Sequence, residues 1–265
     1  MDERVFYPSG DGVQLCALLH EPDGPARGTV VLAHGITVDK DESSGESGVG
    51  AFVELTDALR QRGYNVLRFD FRGHGESGEP SERITVSGER LDLAASIAYA
   101  ENRWSMPPAL VAASFGAVSA VMVAAERDDL PCLALWNPVL DFAKTFWEPV
   151  APGGQAPFDP EDLAHLDERG YVVWRGLDFH VGKPLIREME QIKPFEHMER
   201  IRCPVLTLHG DRDTRVSYDL AKKYARCNEE SRFVTVPGAE HGFTAPADRR
   251  FVIPRTVEWI ERFTR

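Results

Sequence analysis

Ala109-Leu-Val-Ala-Ala-Ser114-Phe-Gly116-Ala117 is an apolar run that ends in a small-residue turn and continues into an Ala/Val-rich segment reaching Glu126. A buried strand that bends sharply into a helix reads this way. Such a bend leaves the Ser114 hydroxyl exposed at the strand's carboxyl end, and its crowded backbone demands small neighbours. The usual spacing is G-x-S-x-G, and here the first position is Ala112. A serine capping an ordinary helix is the competing reading, and this stretch alone does not separate the two.

The rest of the chain repeats the rhythm of short apolar strands and amphipathic helices. An opening hairpin is predicted from VFYP, the turn SGDG and the alternating run VQLCALLH. Strands are predicted at Thr29–Ala33, Asn65–Phe69, Ala109–Ala113, Cys132–Trp136, Pro204–Leu208 and Arg232–Val236. Helices are predicted at Phe52–Arg62, Ser87–Asn102, Phe115–Glu126 and Arg250–Phe263. In the second of these, Leu91, Ala94, Ala95 and Ala98 are spaced to face a sheet. Fully apolar strands alternating with helices predict an α/β fold, a mostly parallel sheet covered on both faces. Residues 137–200 break the rhythm with Pro, Gly and the aromatics Phe142, Phe146, Trp147, Phe158, Tyr171, Trp174 and Phe179. We read residues 1–136 and 201–265 as the core and 137–200 as an inserted cap over the sheet's carboxyl end. A structureless loop of that length is improbable, so the cap should hold short helices or a hairpin.

Two further segments change the weight of Ser114. Pro204-Val-Leu-Thr-Leu-His-Gly-Asp211-Arg-Asp213 ends a strand in a turn with two aspartates. A carboxylate there can reach across the sheet, and Asp213 is favoured, with Asp211 holding the turn. Phe233-Val-Thr-Val-Pro-Gly-Ala-Glu-His241-Gly places a histidine on the loop after the last strand. Ser114, Asp213 and His241 follow one another in the order Ser, Asp, His. In Val30-Val-Leu-Ala-His34-Gly35-Ile36-Thr37 a strand ends in His-Gly. Gly35 allows close backbone approach, so the N–H groups of Ile36 and Phe115 are the candidate oxyanion donors.

Together these motifs resemble the α/β-hydrolase superfamily over essentially the whole chain. Asp70-Phe-Arg-Gly-His-Gly-Glu-Ser-Gly78 adds to the likeness, and the resemblance implies that this loop is structural, so that His74 is not the base. Phe195–Val216 resembles small esterases of the serine-aminopeptidase-like branch, which includes cinnamoyl and feruloyl esterases. His34-Gly-Ile-Thr, with Asp39, Lys40 and Asp41 after it, resembles their oxyanion loop. A cap after the sixth core strand fits the same group. The resemblance implies an α/β-hydrolase fold and a serine hydrolase that cleaves a carboxylic ester through an acyl-enzyme. A serine at the elbow argues against haloalkane dehalogenases and epoxide hydrolases, whose nucleophile is Asp.

The expected substrate is a small acyl or aryl ester, and His34, Gly35, Trp147 and Trp174 are the candidate substrate-binding residues. A thioesterase or acyltransferase with the same triad, and a non-catalytic binding protein on the same fold, stay open as alternatives. No cofactor and no metal is expected, because the histidines lack ligand spacing such as HExxH. The 265 residues carry a net charge of −12, from 42 acidic and 30 basic side chains. That balance argues against the basic face needed to bind nucleic acid or an anionic membrane. Cys16, Cys132, Cys203 and Cys227 form no CxxC pair, and the opening residues carry no apolar run. Both features lead us to expect a cytoplasmic protein with free thiols. The oligomeric state is open, a homodimer included.

Overall fold

Val30, Val31, Leu32 and Ala33 are all buried, yet consecutive side chains enter different cores because a strand alternates faces. Val30 and Leu32 meet one cluster, Val31 and Ala33 the other. The sheet is therefore covered on both sides, as its apolar strands require. The computed structural model describes residues 2–43, 49–225 and 227–264.

The elements run β1 (Glu3–Pro8), β2 (Gln14–His20), β3 (Gly28–Ala33), α1 (Ala51–Gln61), β4 (Tyr64–Phe69), α2 (Val86–Trp104), β5 (Ala109–Ala113), α3 (Gly116–Glu126) and β6 (Leu133–Trp136). There follow α4 (Pro160–Ala164), α5 (Leu166–Arg169), β7 (Tyr171–Val173), β8 (His180–Gly182), α6 (Lys183–Gln191), α7 (Phe195–Met198), β9 (Val205–Gly210), α8 (Tyr218–Tyr224), β10 (Arg232–Val236) and α9 (Pro246–Phe263). Eight strands form one sheet in the order β1-β2-β4-β3-β5-β6-β9-β10. β1, β2 and β4 pair antiparallel, and every pairing from β4 to β10 is parallel. Helices α2 and α3 supply one core through Leu93, Ile97, Ala117 and Val121. Helices α1 and α9 supply the other through Phe52, Leu55, Leu59, Val257 and Ile260. This is the α/β-hydrolase architecture. Among the described residues no helix is long and apolar enough to cross a membrane.

β3 lies between β4 and β5, so the connections leave it towards opposite sides. A crevice opens beyond the carboxyl ends of the strands at such a reversal. Ala33 pairs with Ala112, which brings the turns after β3 and β5 out side by side.

One face was misread from the sequence. In α2 the buried side chains are Val86, Glu89, Asp92, Leu93, Ser96, Ile97 and Ala100; of Leu91, Ala94, Ala95 and Ala98, Ala95 packs partly buried against the core and none is fully buried. The buried stripe is partly polar because it carries partners. Asp92 pairs with the buried Arg72 guanidinium at 2.8 Å, and Ser96 Oγ accepts the Tyr7 hydroxyl at 2.7 Å. A periodicity count treats such residues as solvent-facing. Helix α9 also begins four residues earlier than expected, on Pro246 at the first turn, where its missing N–H costs nothing.

Residues 137–200 hold both short helices and a hairpin, β7 pairing antiparallel with β8. Phe142, Phe146, Phe158, Val172, Val181 and Leu185 form a cluster of their own. That cluster also takes in Phe115 and Val118 from the β5–α3 bend, and Val216 from the loop after β9.

Asn137 fastens this segment to the sheet. It follows β6 with a left-handed φ of 43°. Its side-chain carbonyl accepts the Gly210 N–H at 3.0 Å, extending the ladder past the last strand residue. Asn137→Ala leaves that buried donor unpaired and should cost about 1–3 kcal/mol. The check is a lower denaturant midpoint with an unchanged slope.

Candidate active site

Ser114 stands at the carboxyl end of β5 with φ of 49°, a left-handed conformation that is strained for a residue with a side chain. The neighbouring strand holds it there. The Ser114 N–H donates to the Trp136 carbonyl at 2.8 Å, and the Ser114 carbonyl accepts the Val139 N–H at 3.0 Å. Gly116 explains the small residue after the bend, since a Cβ there would lie 2.2 Å from the His34 carbonyl oxygen. Ala112 has no such neighbour problem. It is an ordinary strand residue paired with Ala33 and Leu135, outside the positive-φ set, so alanine fits where glycine is usual.

The turn after β9 and the loop after β10 meet at this serine. His241 Nε2 lies 2.9 Å from Ser114 Oγ, and His241 Nδ1 lies 2.7 Å from Asp213 Oδ2. Asp213 Oδ1 accepts the N–H groups of Arg215 and Val216, both at 2.8 Å. His209, fully buried, places Nε2 3.2 Å from Asp213 Oδ2. Burial by itself raises the Asp213 pKa. The charge of His241, with hydrogen bonds from His209 and His241, outweighs burial and holds the carboxyl well below its usual range. An ionised Asp213 makes Nδ1 of His241 the protonated nitrogen and leaves Nε2 to accept from the serine. Asp211 faces the other way and accepts the Gly238 N–H at 2.7 Å. Phe243, fully buried against Trp136 with ring centroids 5.7 Å apart, anchors the His241 loop to the end of β6.

The turn after β3 completes the arrangement. A Cβ on Gly35 would lie 3.1 Å from the Ser114 Cβ. His34 was expected to meet substrate, but its ring is 1% exposed and both nitrogens serve the backbone. Nδ1–H donates to the Gly35 carbonyl at 2.7 Å, and Nε2 accepts the Phe71 N–H at 2.9 Å. With the Gly35 carbonyl held by its own histidine, the trans peptide directs the Ile36 N–H to the opposite side. Neither the Ile36 nor the Phe115 N–H donates to another described residue. His74 braces the same turn, Nε2 accepting the Thr37 N–H at 3.3 Å and Nδ1–H donating to the Arg72 carbonyl at 3.0 Å. Lys40 ties the turn to Asp70 through its backbone N–H and its ammonium, each at 2.8 Å. The Asp70–Gly78 loop is thus a brace behind the turn.

One buried carboxyl near Ser114 escaped the sequence reading. Glu42 is 4% exposed and accepts the Gly35 N–H at 2.8 Å. With Ala113, Ser114, Trp136, Asn137, Gly242 and Phe243 it lines a small cavity beside the serine. Its setting in Asp39-Lys-Asp-Glu-Ser43 gave no signal, since such a run reads as solvated surface. Trp147 and Trp174 are half-buried beside Phe146 and Phe158 in the 137–200 cluster. Ile36 packs against the same cluster.

The family described as serine aminopeptidase, S33, matches residues 24–246. The chain belongs to this family of α/β-hydrolases. The mouse lysophosphatidylserine lipase ABHD12 is 27% identical over 205 residues, 75% of this chain and 46% of the lipase. The chain thus spans about half the length of that relative. Among solved structures, Est1E from Butyrivibrio proteoclasticus with bound ferulic acid superposes with a TM-score of 0.78 at 24% identity, covering 98% of both chains. An esterase domain from Rhodothermus marinus gives 0.75 at 22% identity, covering 100% of both. At these identities the two structures establish the hydrolase fold alone.

This α/β-hydrolase has one group of metal-type donors among the described residues, Cys16, Asp70 and Glu76, within 4.8 Å of one another. The Lys40 ammonium already bonds Asp70 at 2.8 Å and Glu76 at 3.1 Å, so a cation stands there from the chain itself.

The two bracing histidines make the hydrolase sensitive to acid. Burial lowers His34 from the usual 6.5 to about 4 and His74 to about 3. Between 6.5 and those values the unfolded chain binds protons that the folded chain refuses. Their contribution is complete above 6.5 and is lost as pH falls. Stability should drop between pH 6.5 and 4. His74→Gln should flatten that slope by up to about 1.4 kcal/mol per pH unit. Denaturation of both proteins across the window measures it.

Proposed function

We propose that this protein is a serine hydrolase that cleaves a carboxylic ester, with Ser114 as nucleophile, His241 as general base and Asp213 as orienting acid. The observation that carries the reading is the hydrogen-bonded line from Ser114 Oγ to His241 Nε2 at 2.9 Å and from His241 Nδ1 to Asp213 at 2.7 Å. His241 takes the hydroxyl proton as Oγ adds to the acyl carbon. Asp213 fixes the imidazole tautomer and stabilises the imidazolium. The oxygen that gains charge faces the unpaired N–H groups of Ile36 and Phe115. Collapse of the tetrahedral intermediate breaks the bond to the alcohol, which takes the proton from His241. Water, deprotonated by the same histidine, then releases the acid and restores Ser114.

Residues 137–200 act in this reading as a cap whose aromatic cluster rests on Phe115 and Ile36. Trp147 and Trp174 are two of the half-buried residues packed against it and the ones we assign to an apolar acyl or aryl group. A relative similar to this chain is called a lysophosphatidylserine lipase, which favours an ester over an amide. The free cysteines Cys16, Cys132, Cys203 and Cys227 suit a reducing compartment, and we place the protein in the cytoplasm.

A panel of esters varied in acyl length and aromaticity, run on native protein and Ser114→Ala, tests the reading. We expect turnover by the native protein and a loss of about 10⁴-fold or more in kcat in the variant. A fluorophosphonate should label native protein only. Equal labelling of both proteins would remove Ser114 as nucleophile, and turnover no greater than the variant's would remove the ester.

A further inference from the structure

Glu42 is the buried ionisable group beside Ser114 that the proposed reaction does not use. Burying a carboxyl costs free energy unless its hydrogen bonds or charge are answered. Glu42 also sits at φ of 52°, a strained setting that persists only where its surroundings enforce it. Those surroundings are specific. Its N–H donates to the Asp39 carbonyl at 2.9 Å, and its carbonyl accepts the Ala51 N–H at the start of α1 at 3.2 Å. Gly50 lies against Asp41 so closely that a Cβ there would fall 1.9 Å from the Asp41 carbonyl oxygen. The fold thus fixes the backbone of Glu42 and aims the carboxyl inward at Gly35.

Two consequences follow for the chemistry. The Gly35 N–H is held by Glu42 at 2.8 Å and the Gly35 carbonyl by His34 at 2.7 Å. Glycine is the residue least able to hold a conformation by itself, so these two side chains set the plane that carries the Ile36 N–H. The carboxyl also shares the cavity beside Ser114 with Gly242, the residue that follows His241. The groups that β5, β6 and the His241 loop turn towards it, Ala113, Ser114, Trp136, Asn137, Gly242 and Phe243, carry no charge. His241 and Asp39 are the ionisable groups that act on it among the described residues.

Building on Ser114 as nucleophile, we propose that Glu42 is a positioning residue, pinning Gly35 so that the Ile36 N–H faces the acyl oxygen and lending negative charge to His241 when it is protonated. Burial pushes the Glu42 carboxyl up from 4.5 to about 7. The Gly35 N–H and His241 oppose that rise, and Asp39 adds to it. The residue therefore changes charge in the neutral range.

Glu42→Gln keeps an acceptor for Gly35 and removes the charge, whereas Glu42→Ala removes both. The measurements are kcat, KM and the rate of fluorophosphonate labelling from pH 5 to 9, with thermal denaturation alongside. In Glu42→Ala we expect kcat and labelling to fall about tenfold or more with KM little changed, because a donor to the oxyanion acts in the transition state. In Glu42→Gln most of that loss should be recovered. Its acid limb should move to lower pH by about half a unit or more, since an imidazolium without its anion gives up its proton sooner. Stability supplies a readout independent of activity. The folded chain keeps a proton on Glu42 up to about 7 that the unfolded chain loses near 4.5. The Glu42 contribution to stability is therefore lost as pH rises through that window, against the opposite trend set by His34 and His74, and Glu42→Gln should gain in Tm relative to native as pH rises from 5 to 8.

Native kcat in Glu42→Ala would overturn the pinning. An unmoved acid limb in Glu42→Gln would overturn the charge role. If Glu42→Ala does not fold, a Glu42→Gln enzyme with both native limb and native Tm profile overturns the proposal by itself. Absence of labelling in native protein would strike the Ser114 assignment first, and this proposal with it, and is told apart by being common to all the proteins.

Discussion

Two turns approach each other at the carboxyl edge of the sheet more closely than side chains permit, and the site depends on that approach. Gly116 lies where any Cβ would press within 2.2 Å of the His34 carbonyl oxygen, and Gly35 where a Cβ would lie 3.1 Å from that of Ser114. The parallel pairing of β3 with β5 creates the proximity, and the left-handed Ser114 exploits it. The hydroxyl is thereby held close against the turn after β3 without a long side chain having to be immobilised. The strain at Ser114 is offset by the backbone bonds to Trp136 and Val139, which is why β6 belongs to the site as much as β5 does.

Behind the turns lies a layer of buried polar residues whose members satisfy one another. Asp70 holds Lys40, Arg72 holds Asp92, and His34 and His74 each spend both nitrogens on backbone groups. Paired in this way, buried polar groups rigidify a structure, whereas any one of them unpaired would be costly. The loop Asp70–Gly78 gains a role from this. It is remote from Ser114 in function, but it prevents the turn after β3 from relaxing. The 137–200 segment closes the other side, through an aromatic cluster continuous with Phe115 next to the serine.

Much of this was legible beforehand, for reasons specific to each element. The strands could be read because both of their faces are apolar, and the hairpin because it alternates around Ser9-Gly-Asp-Gly12. Ser114, Asp213 and His241 could be singled out because each follows a strand end, where parallel sheets gather side chains. The face of α2 was not legible, because Asp92 and Ser96 look solvent-bound until Arg72 and Tyr7 arrive from distant parts of the chain. His34 looked like a ligand-binding residue for the same reason, since its two backbone partners cannot be anticipated from its neighbours. Glu42 gave no sign at all.

The sequence by itself determined most core strands and helices, the bend at Ser114 and the Ser114, His241 and Asp213 line. These follow from periodicity and from residue types whose steric or chemical character is local. Tertiary structure alone decided the pinning of Gly35 between His34 and Glu42, the use of His74 as a brace and the burial of a carboxyl beside the serine. Each depends on which groups meet across the sheet and on how little water reaches them. Hydrogen-bond partnership and desolvation are properties of the folded surroundings, and no residue carries them in its own identity.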